Sequence, residues 1–428
     1  MKNILLATIL RILSFFLRVA NLGNGTTWPG HLALKVNPHF IEEIIKEKHI
    51  IPIVVAGTNG KTTTARILQT ILEASGKRVF QNDSGANLLN GIASTLILNS
   101  ETGTEKSPLY AIFEVDENAL PKLLKKISPK YLLLLNLFRD QLDRYGEVRT
   151  IAKHWQDSLL DSDTSIEILG NGDDPQIVGI CTTLQQKIEY FGLTAGEKQT
   201  AEHTADSSYC PHCGAKLTYS SVQFSHLGDW KCPSCGLKRP KVFSEKISLP
   251  LFGSYNAYNG AAACLTALKL GLQRKTITTG LSRVTPAFGR QETFVRDGKN
   301  IQIFLSKNPT GMNESLRTIK ELGGTYLLFI LNDRIPDGKD VSWIWDVDIE
   351  TLVRKDSRIF TSGDRAFDMG LRIKYAHPVI DHVDTHEILE TAFNDILKSV
   401  PKEETLFILP TYSAMLDVRK LLTGRKIL

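Results

Sequence analysis

Cysteine is scarce, at six in 428 residues, too few for the disulfide framework on which small secreted domains depend. A surplus of one charge is missing as well. Lys and Arg number 51 and Asp and Glu 46, leaving a net charge of +5 that is spread along the chain. This excludes the dense basic patches of nucleic-acid binders, so nucleic acid is set aside as a partner, while an anionic substrate stays admissible. There is no internal repeat and no low-complexity tract. A chain of this length then implies about three domains, each large enough for its own core.

No apolar run is long enough to span a bilayer. The nearest approach, MKNILLATILRILSFFLRVA at residues 1–20, is too short and too charged. Arg11 interrupts it and no small-x-small cleavage site follows, which argues against a signal peptide. Thr8, Arg11, Ser14 and Arg18 fall on one helical face, with Leu, Ile and Phe elsewhere. The segment reads as an amphipathic helix, either packed on the protein or lying at a membrane surface; packing is favoured, and the wide apolar arc keeps the second reading open. Residues 21–35, with Trp28-Pro29-Gly30, read as a loop.

What is present begins with IIPIVVAGTNGKTTTARILQTILEAS, residues 50–75. A β-branched run ends in Gly57-Thr58-Asn59-Gly60-Lys61-Thr62-Thr63, and apolar residues then recur at helical spacing through Ile67, Leu68, Ile71 and Leu72. In a strand–glycine loop–helix unit the backbone N–H groups approach phosphate oxygens, and Lys61 adds a mobile positive charge. Thr62 stands where a phosphate-loop hydroxyl binds Mg²⁺. The strict pattern would need glycine at Val55, so this is a variant; the competing reading is a glycine turn with a solvated lysine. The expected ligand is a nucleoside triphosphate, ATP, with Mg²⁺ on Thr62; Glu114, at the next apolar strand, is either an ordinary strand-end acid or, taken with the loop, a further Mg²⁺ ligand.

Apolar runs such as Tyr131–Asn136 alternate with helical patterns such as Glu117–Ile127 from about residue 36 to 200. That alternation predicts a mostly parallel sheet flanked by helices, with ligands at the carboxyl ends of its strands. The loop, Glu114 and Asp140 all lie just after predicted strands, so one site can use them. A helical stretch follows at 243–287, with a helix over Ala261–Leu270. Gly289-Arg290 marks a hinge. From about 293 a second α/β domain is expected, with strands near Ile301–Leu305, Tyr326–Leu331, Arg358–Thr361 and Leu406–Leu409. The division is 1–35, an N-terminal helix and loop; 36–290, the ATP-binding domain; and 291–428, the C-terminal domain.

Four cysteines interrupt this pattern. Cys210-x-x-Cys213 and Cys232-x-x-Cys235 stand eighteen residues apart, within an insert at about 205–240. Each pair predicts a tight knuckle, and four thiolates complete a closed tetrahedral Zn²⁺ shell, as in a zinc ribbon; a redox dithiol is the alternative. His212 is read as a surface residue, since the sulfurs fill the shell. Loss of the metal is expected to loosen the insert before it harms nucleotide binding. Cys181 and Cys264 read as small core residues. A thiolate metal site and an ATP site together indicate the cytoplasm.

The loop spelling GTNGKTT resembles that of the Mur ligase superfamily, whose members join amines to carboxylates through an acyl phosphate. Five further blocks follow in family order: Phe113–Glu117, Asn136–Arg144, Asn171–Pro175, Gly253–Asn259 and Phe288–Glu292. The resemblance covers roughly residues 36–428. It implies a Mg²⁺-binding role for Glu114 and an arginine, Arg290, reaching ATP from the hinge. Asp140 and Asp143 would lie near metal and acceptor, although Gln141 stands where histidine is usual and removes a metal or proton-transfer option. Asn256 and Asn259, three apart, are read either as two amides near the nucleotide base or as a helix cap plus a packing amide.

The cysteine insert and the segment Asp340-Val341-Ser342-Trp343-Ile344-Trp345-Asp346 resemble the superfamily's amidating branch. That resemblance implies a synthetase subunit that amidates the D-glutamate of lipid II at the inner membrane face, with ammonia from a GatD-like class I glutaminase. Asp340 or Asp346 would orient the partner's catalytic histidine, and Asp346 is the first choice. Lys307-Asn308-Pro309 departs from the family's H-N-P loop, where classical members recognise an amino acid; the departure favours ammonia as nucleophile. No cysteine of this chain has the setting of a glutaminase nucleophile. The competing readings are a stand-alone ligase of the Mur or folylpolyglutamate type and a zinc-ribbon scaffold that binds ATP only to regulate assembly.

Overall fold

The computed structural model describes residues 2–19, 27–82, 85–99, 101–139, 148–194, 207–287, 289–376 and 383–424. Two parallel-type sheets organise them. The first holds β1 (Ile50–Ala56), β2 (Arg78–Gln81), β3 (Leu109–Val115), β4 (Tyr131–Leu134), β5 (Glu167–Asn171) and β6 (Lys187–Phe191) in the order β2-β3-β1-β4-β5-β6. Every pairing is parallel, as continuous apolar strands buried on both faces require. Alternate residues of β1 serve opposite layers: Val54 and Ala56 enter one core cluster, Ile53 and Val55 the other, because side chains of a strand point to its two faces in turn.

Against the first face lie α1 (Lys2–Val19), α2 (Trp28–Val36), α3 (Phe40–Glu47) and α5 (Leu89–Leu98). Against the second lie α4 (Lys61–Ala74) and the helices Ser254–Lys269 and Arg274–Ser282. The sequence expectation fails locally here. Trp28-Pro29-Gly30 does not continue a loop but opens α2, since proline is well placed in a first helical turn, where its missing N–H has no partner to lose. Gly30 packs so tightly on α5 that a Cβ would sit 2.0 Å from the Asn90 carbonyl oxygen. The helix expected over Glu117–Ile127 shortens to Leu120–Leu124, because Asp116 accepts the Asn118 N–H at 3.0 Å and turns the chain first.

The helix α1 is packed on the protein, but not by its apolar arc. Ser14, grouped from sequence with Thr8, Arg11 and Arg18, is buried and donates to the Leu10 carbonyl at 2.7 Å. Asn3, Ala7, Leu10 and Ser14 form the docked stripe, and the apolar residues opposite face outward. Arg18 lies outside the residues whose side chains are described.

The second sheet carries β9 (Arg290–Arg296), β10 (Lys299–Phe304), β11 (Tyr326–Ile330), β12 (Arg358–Ser362), β13 (Val383–Thr385) and β14 (Thr405–Pro410), in the order β13-β12-β11-β14-β10-β9. Four strands fall where the sequence placed them. β9 is an addition, antiparallel to β10. Its signal was the Asp297-Gly298 turn, with φ of 54° and 72°, the positive values that a two-residue hairpin needs. The helix expected over Ala261–Leu270 starts earlier, at Ser254. A separate antiparallel hairpin, β7 (Thr218–Phe224) and β8 (Leu227–Lys231), belongs to the cysteine insert.

Candidate functional site

The turn after β1 lies at the sheet's switch point, flanked by β3 and β4, where open α/β sheets hold ligands. Gly57 and Gly60 have φ of 151° and 87°. A Cβ on Gly60 would meet Asn259 Oδ1 at 2.2 Å, so glycine is required twice over, by conformation and by space. Asn136, after β4, braces the loop: its Oδ1 accepts the Asn59 N–H at 2.9 Å and its Nδ2 donates to the Asn59 carbonyl at 3.1 Å. Thr58 N donates to the Asn136 carbonyl at 3.0 Å. Thr58 and Phe138 exchange hydrogen bonds through the threonine hydroxyl at 3.2 and 3.1 Å.

Lys61 is buried and curls into this loop. Its ammonium donates to the Gly57 carbonyl, to the Thr58 carbonyl at 3.2 Å and to Glu117 Oε2 at 3.4 Å. Thr62 Oγ1 donates to Glu114 Oε2 at 2.6 Å, and Gly85 N donates to Glu114 Oε1 at 3.3 Å. The residues fit the groups expected of them: a lysine poised in a glycine cradle for phosphate, and a hydroxyl–carboxylate pair, both oxygen donors, for Mg²⁺. Glu117 was not singled out from sequence, although it ends the Phe113–Glu117 block. It is buried and its Oε1 has no hydrogen-bond partner, an orphan acceptor beside the proposed phosphate position.

Burial pushes the Glu114 carboxyl above the usual carboxylate range, against the lowering pull of the Thr62 hydroxyl and the Lys61 charge. A raised value means the proton competes with a cation at a higher pH than it would at a free glutamate. Mg²⁺-dependent nucleotide binding should therefore weaken as pH falls through that raised value. Calorimetry across the acidic range checks this; in Glu114→Gln the affinity should be low and flat with pH.

A cleft opens between the two sheets, lined by Asn59, Gly60, Thr63 and Asn259 on one side and Arg290, Leu305 and Thr310 on the other. Asn308, from the loop before the helix Pro309–Glu321, donates to Asn59 Oδ1 at 3.2 Å and ties the domains together at the phosphate loop. Tyr412 approaches from the same side: its hydroxyl would lie 2.8 Å from a Cβ on Gly85. Arg290 lines the cleft. Of the two asparagines, Asn259 lines it and accepts from Thr64 at 3.2 Å, whereas Asn256 stands behind, bonded to the Phe252 carbonyl at 2.7 Å and to Asn259 at 3.2 Å. Asp140, Gln141, Asp143 and Phe288 lie outside the described residues.

The four sulfurs of Cys210, Cys213, Cys232 and Cys235 converge within 4.8 Å of one another, with closest pairs at 3.5 and 3.6 Å. A tetrahedral shell with Zn–S near 2.3 Å would set sulfurs about 3.8 Å apart, so the cage fits zinc. Gly214 and Gly236, at φ of 74° and 78°, close the two knuckles and donate to the carbonyls of Cys210 and Cys232. His212 bonds Thr182 at 3.0 Å and takes no part in the sulfur cage.

The insert is not peripheral. Its hairpin tip enters the wall of the cleft, where Phe224 stacks on Phe138 (5.8 Å, 28°) and meets Tyr258 edge-on at 5.6 Å. His226, fully buried, lies against the Phe138 ring at 4.8 Å and 3.4 Å from Asp174 Oδ2, which accepts the Leu137 N–H at 2.9 Å. Asp173 binds Arg239 at 2.6 Å and Tyr258 at 2.7 Å. The Asn171–Pro175 block thus fastens the hairpin to the segment that holds Thr58. Sequence reasoning missed this because an aromatic residue in a ribbon strand reads as ribbon core.

This contact predicts joint failure where the sequence alone suggests a sequential one. Removing zinc should weaken nucleotide binding together with the ribbon's structure. Phe224→Ala, with all four cysteines intact, should lower nucleotide affinity roughly tenfold, equivalent to ~1.4 kcal/mol. Titration of zinc-loaded, chelated and variant protein with a fluorescent nucleotide measures both. Unchanged affinity after chelation would show the hairpin tip to be passive.

In the C-terminal domain, Asp346 forms an ion pair with Arg139, across the domain boundary. Asp340 is exposed, and its Oδ1 accepts the Ser342 N–H at 2.8 Å; the Ser342 hydroxyl first, and then this N–H, hold its carboxyl below the usual range. Beside them, Trp345 packs edge-on against Tyr375 at 5.8 Å. Phe367, Leu371 and Tyr375, four residues apart on the helix Ala366–Ala376, are all exposed. This apolar stripe had no sequence signal beyond the tryptophan pair.

Known proteins resemble this chain in sequence and fold. Residues 55–267 match the Mur ligase middle domain and residues 305–415 the MurT ligase C-terminal domain. The chain is 33% identical to the lipid II isoglutaminyl synthase (glutamine-hydrolyzing) subunit MurT of Streptococcus pneumoniae, over 96% of this chain and 95% of that protein. It is also 33% identical to the subunit of the same name from Staphylococcus aureus, over 85% and 86%. Among solved structures, it shares its fold with a pseudomurein peptide ligase type C from Methanothermus fervidus (TM-score 0.65, 20% identity, 90% and 81% of the two chains). The same holds for MurF from Acinetobacter baumannii (TM-score 0.64, 17% identity, 92% and 80%). With a Mur-type nucleotide loop, a second α/β domain and this identity along nearly its whole length, the chain belongs to the MurT family of Mur ligases.

Proposed function

We propose that the chain is the synthetase subunit of a glutamine-dependent amidotransferase that converts the D-glutamate α-carboxylate of the lipid II stem peptide to the amide of D-isoglutamine. The carboxylate oxygen attacks the γ-phosphorus of ATP, ADP leaves, and an acyl phosphate results. Ammonia then attacks the acyl carbon, inorganic phosphate departs with the C–O electron pair, and the ammonium proton is released to solvent. Lys61 and the loop N–H groups hold and neutralise the transferring phosphoryl oxygens. Thr62 and Glu114 would hold Mg²⁺, which supplies further charge neutralisation when bound. Arg290 and Asn308 bring the C-terminal domain against the nucleotide.

The observation that carries this reading is the cleft itself, whose walls are the lysine-bearing phosphate loop and an arginine of the second sheet, with the Thr62–Glu114 pair beside that loop. The names of the 33%-identical relatives add the substrate. Ammonia would come from a GatD-like class I glutaminase. The exposed Trp345, Phe367, Leu371 and Tyr375 offer that partner an aromatic docking stripe of the kind that anchors interfaces. Asp340 is better placed than Asp346 to meet the partner's histidine, since Asp346 is engaged by Arg139 and Asp340 only by its own turn.

The test is turnover with lipid II, ATP and Mg²⁺, using ammonium chloride for the chain alone and glutamine once the glutaminase is added. Amide formation under both conditions supports the proposal. ATP turnover that depends on a free amino acid instead would select a stand-alone ligase, and tight ATP binding without turnover on any acceptor would select a scaffold.

A further inference from the structure

The helix α1 is docked by its less apolar side. Asn3, Ala7, Leu10 and Ser14, at spacings of four, three and four, make the buried stripe. The same spacing two residues on gives Leu5, Ile9, Ile12 and Phe16, whose exposures are 64%, 53%, 51% and 61%. Phe15 and Leu13 widen this outer face. On α2, which packs against α1, Leu32 and Val36 are exposed in turn. An exposed stripe of large apolar side chains such as that of α1 is uncommon on a soluble protein and marks an interaction surface. None of the helices among the described residues is long and apolar enough to cross a membrane.

Charge indicates what covers it. The two helices carry Lys2, Arg11, Arg18, His31 and Lys35 and no Asp or Glu. The nearest acids, Glu43 and Glu47 of α3, are tied down by Asn3 at 2.7 and 3.2 Å on the docked side. Two copies of such a face would bring like charges together. An anionic bilayer instead accepts the apolar side chains at its headgroup boundary and neutralises the basic ones.

We infer that α1 and α2 form a peripheral docking face for anionic lipid, laying α1 flat in the membrane interface. The inference stands apart from the proposed reaction, because binding to a plain lipid surface needs neither ATP nor the stem peptide. It is tested by flotation of the full chain with vesicles of phosphatidylcholine, with or without phosphatidylglycerol and free of any peptidoglycan precursor. The protein should float with the anionic vesicles and much less with the neutral ones, and raised salt should reduce the bound fraction. Leu5→Glu with Phe16→Glu should cut partitioning at least roughly tenfold while nucleotide affinity is retained, since both side chains face solvent. Should the glutamates unfold α1, Ile12→Ser with Phe16→Ser gives the same ordering. Equal flotation of wild type and variants, or no flotation of the wild type, overturns the inference. So does a concentration-dependent dimer that the variants abolish without any vesicle binding, which would assign the face to a second copy.

Discussion

Lys61→Ala should lower ATP-dependent amidation by on the order of 10³-fold or more, with ammonium as the nitrogen source. The reason is positional. The ammonium lies inside the loop on the carbonyls of Gly57 and Thr58, and phosphoryl transfer depends on fixed cations that meet charge as it spreads over the transferring oxygens. Losing the lysine also leaves Glu117 buried without its partner, a destabilising change in its own right. The double variant Lys61→Ala, Glu117→Gln separates the two effects. It should recover thermal stability relative to the single variant and recover no turnover. Near-normal rates in either variant would remove the loop from the chemistry.

Asp340→Asn should reduce glutamine-driven amidation by about 10³- to 10⁴-fold, the scale seen when a carboxylate that orients a catalytic histidine is neutralised, and leave ammonium-driven amidation intact. Asp346→Asn should behave differently. It weakens the ion pair to Arg139 that joins the domains, so both nitrogen sources should suffer, each by a smaller factor. Side-by-side rates with ammonium and with glutamine plus the glutaminase decide the assignment. Selective loss of the glutamine reaction in Asp346→Asn, with Asp340→Asn unaffected, would restore Asp346 as the orienting residue. If neither variant lost either activity, the histidine would have another anchor.

The phosphate loop was legible because its chemistry is local. Strand, glycine turn, lysine and helix occupy consecutive residues, and the same holds for the two cysteine knuckles. Glu114 was readable for a related reason: it stands one residue before the end of β3, a continuous apolar strand, and parallel strands deliver their carboxyl ends to one edge. Glu117 was harder to see, because its role depends on the helix starting three residues late and leaving its side chain turned to Lys61.

Local pattern and composition, then, determined the two α/β domains, the phosphate-type loop, the four-cysteine insert and the likeness to Mur ligases, since each is encoded by neighbours in sequence or by an ordered set of short blocks. Only the tertiary structure decided how distant pieces meet. It set Phe224 of the insert against Phe138, engaged Asp346 with Arg139 and left Asp340 in its own turn. It also turned the apolar side of α1 outward. A helical wheel shows that two faces differ but not which is docked. That choice is made by shape, because the small residues Ala7 and Ser14 let the helix approach its support closely, while bulky Leu, Ile and Phe on the other side would hold it away.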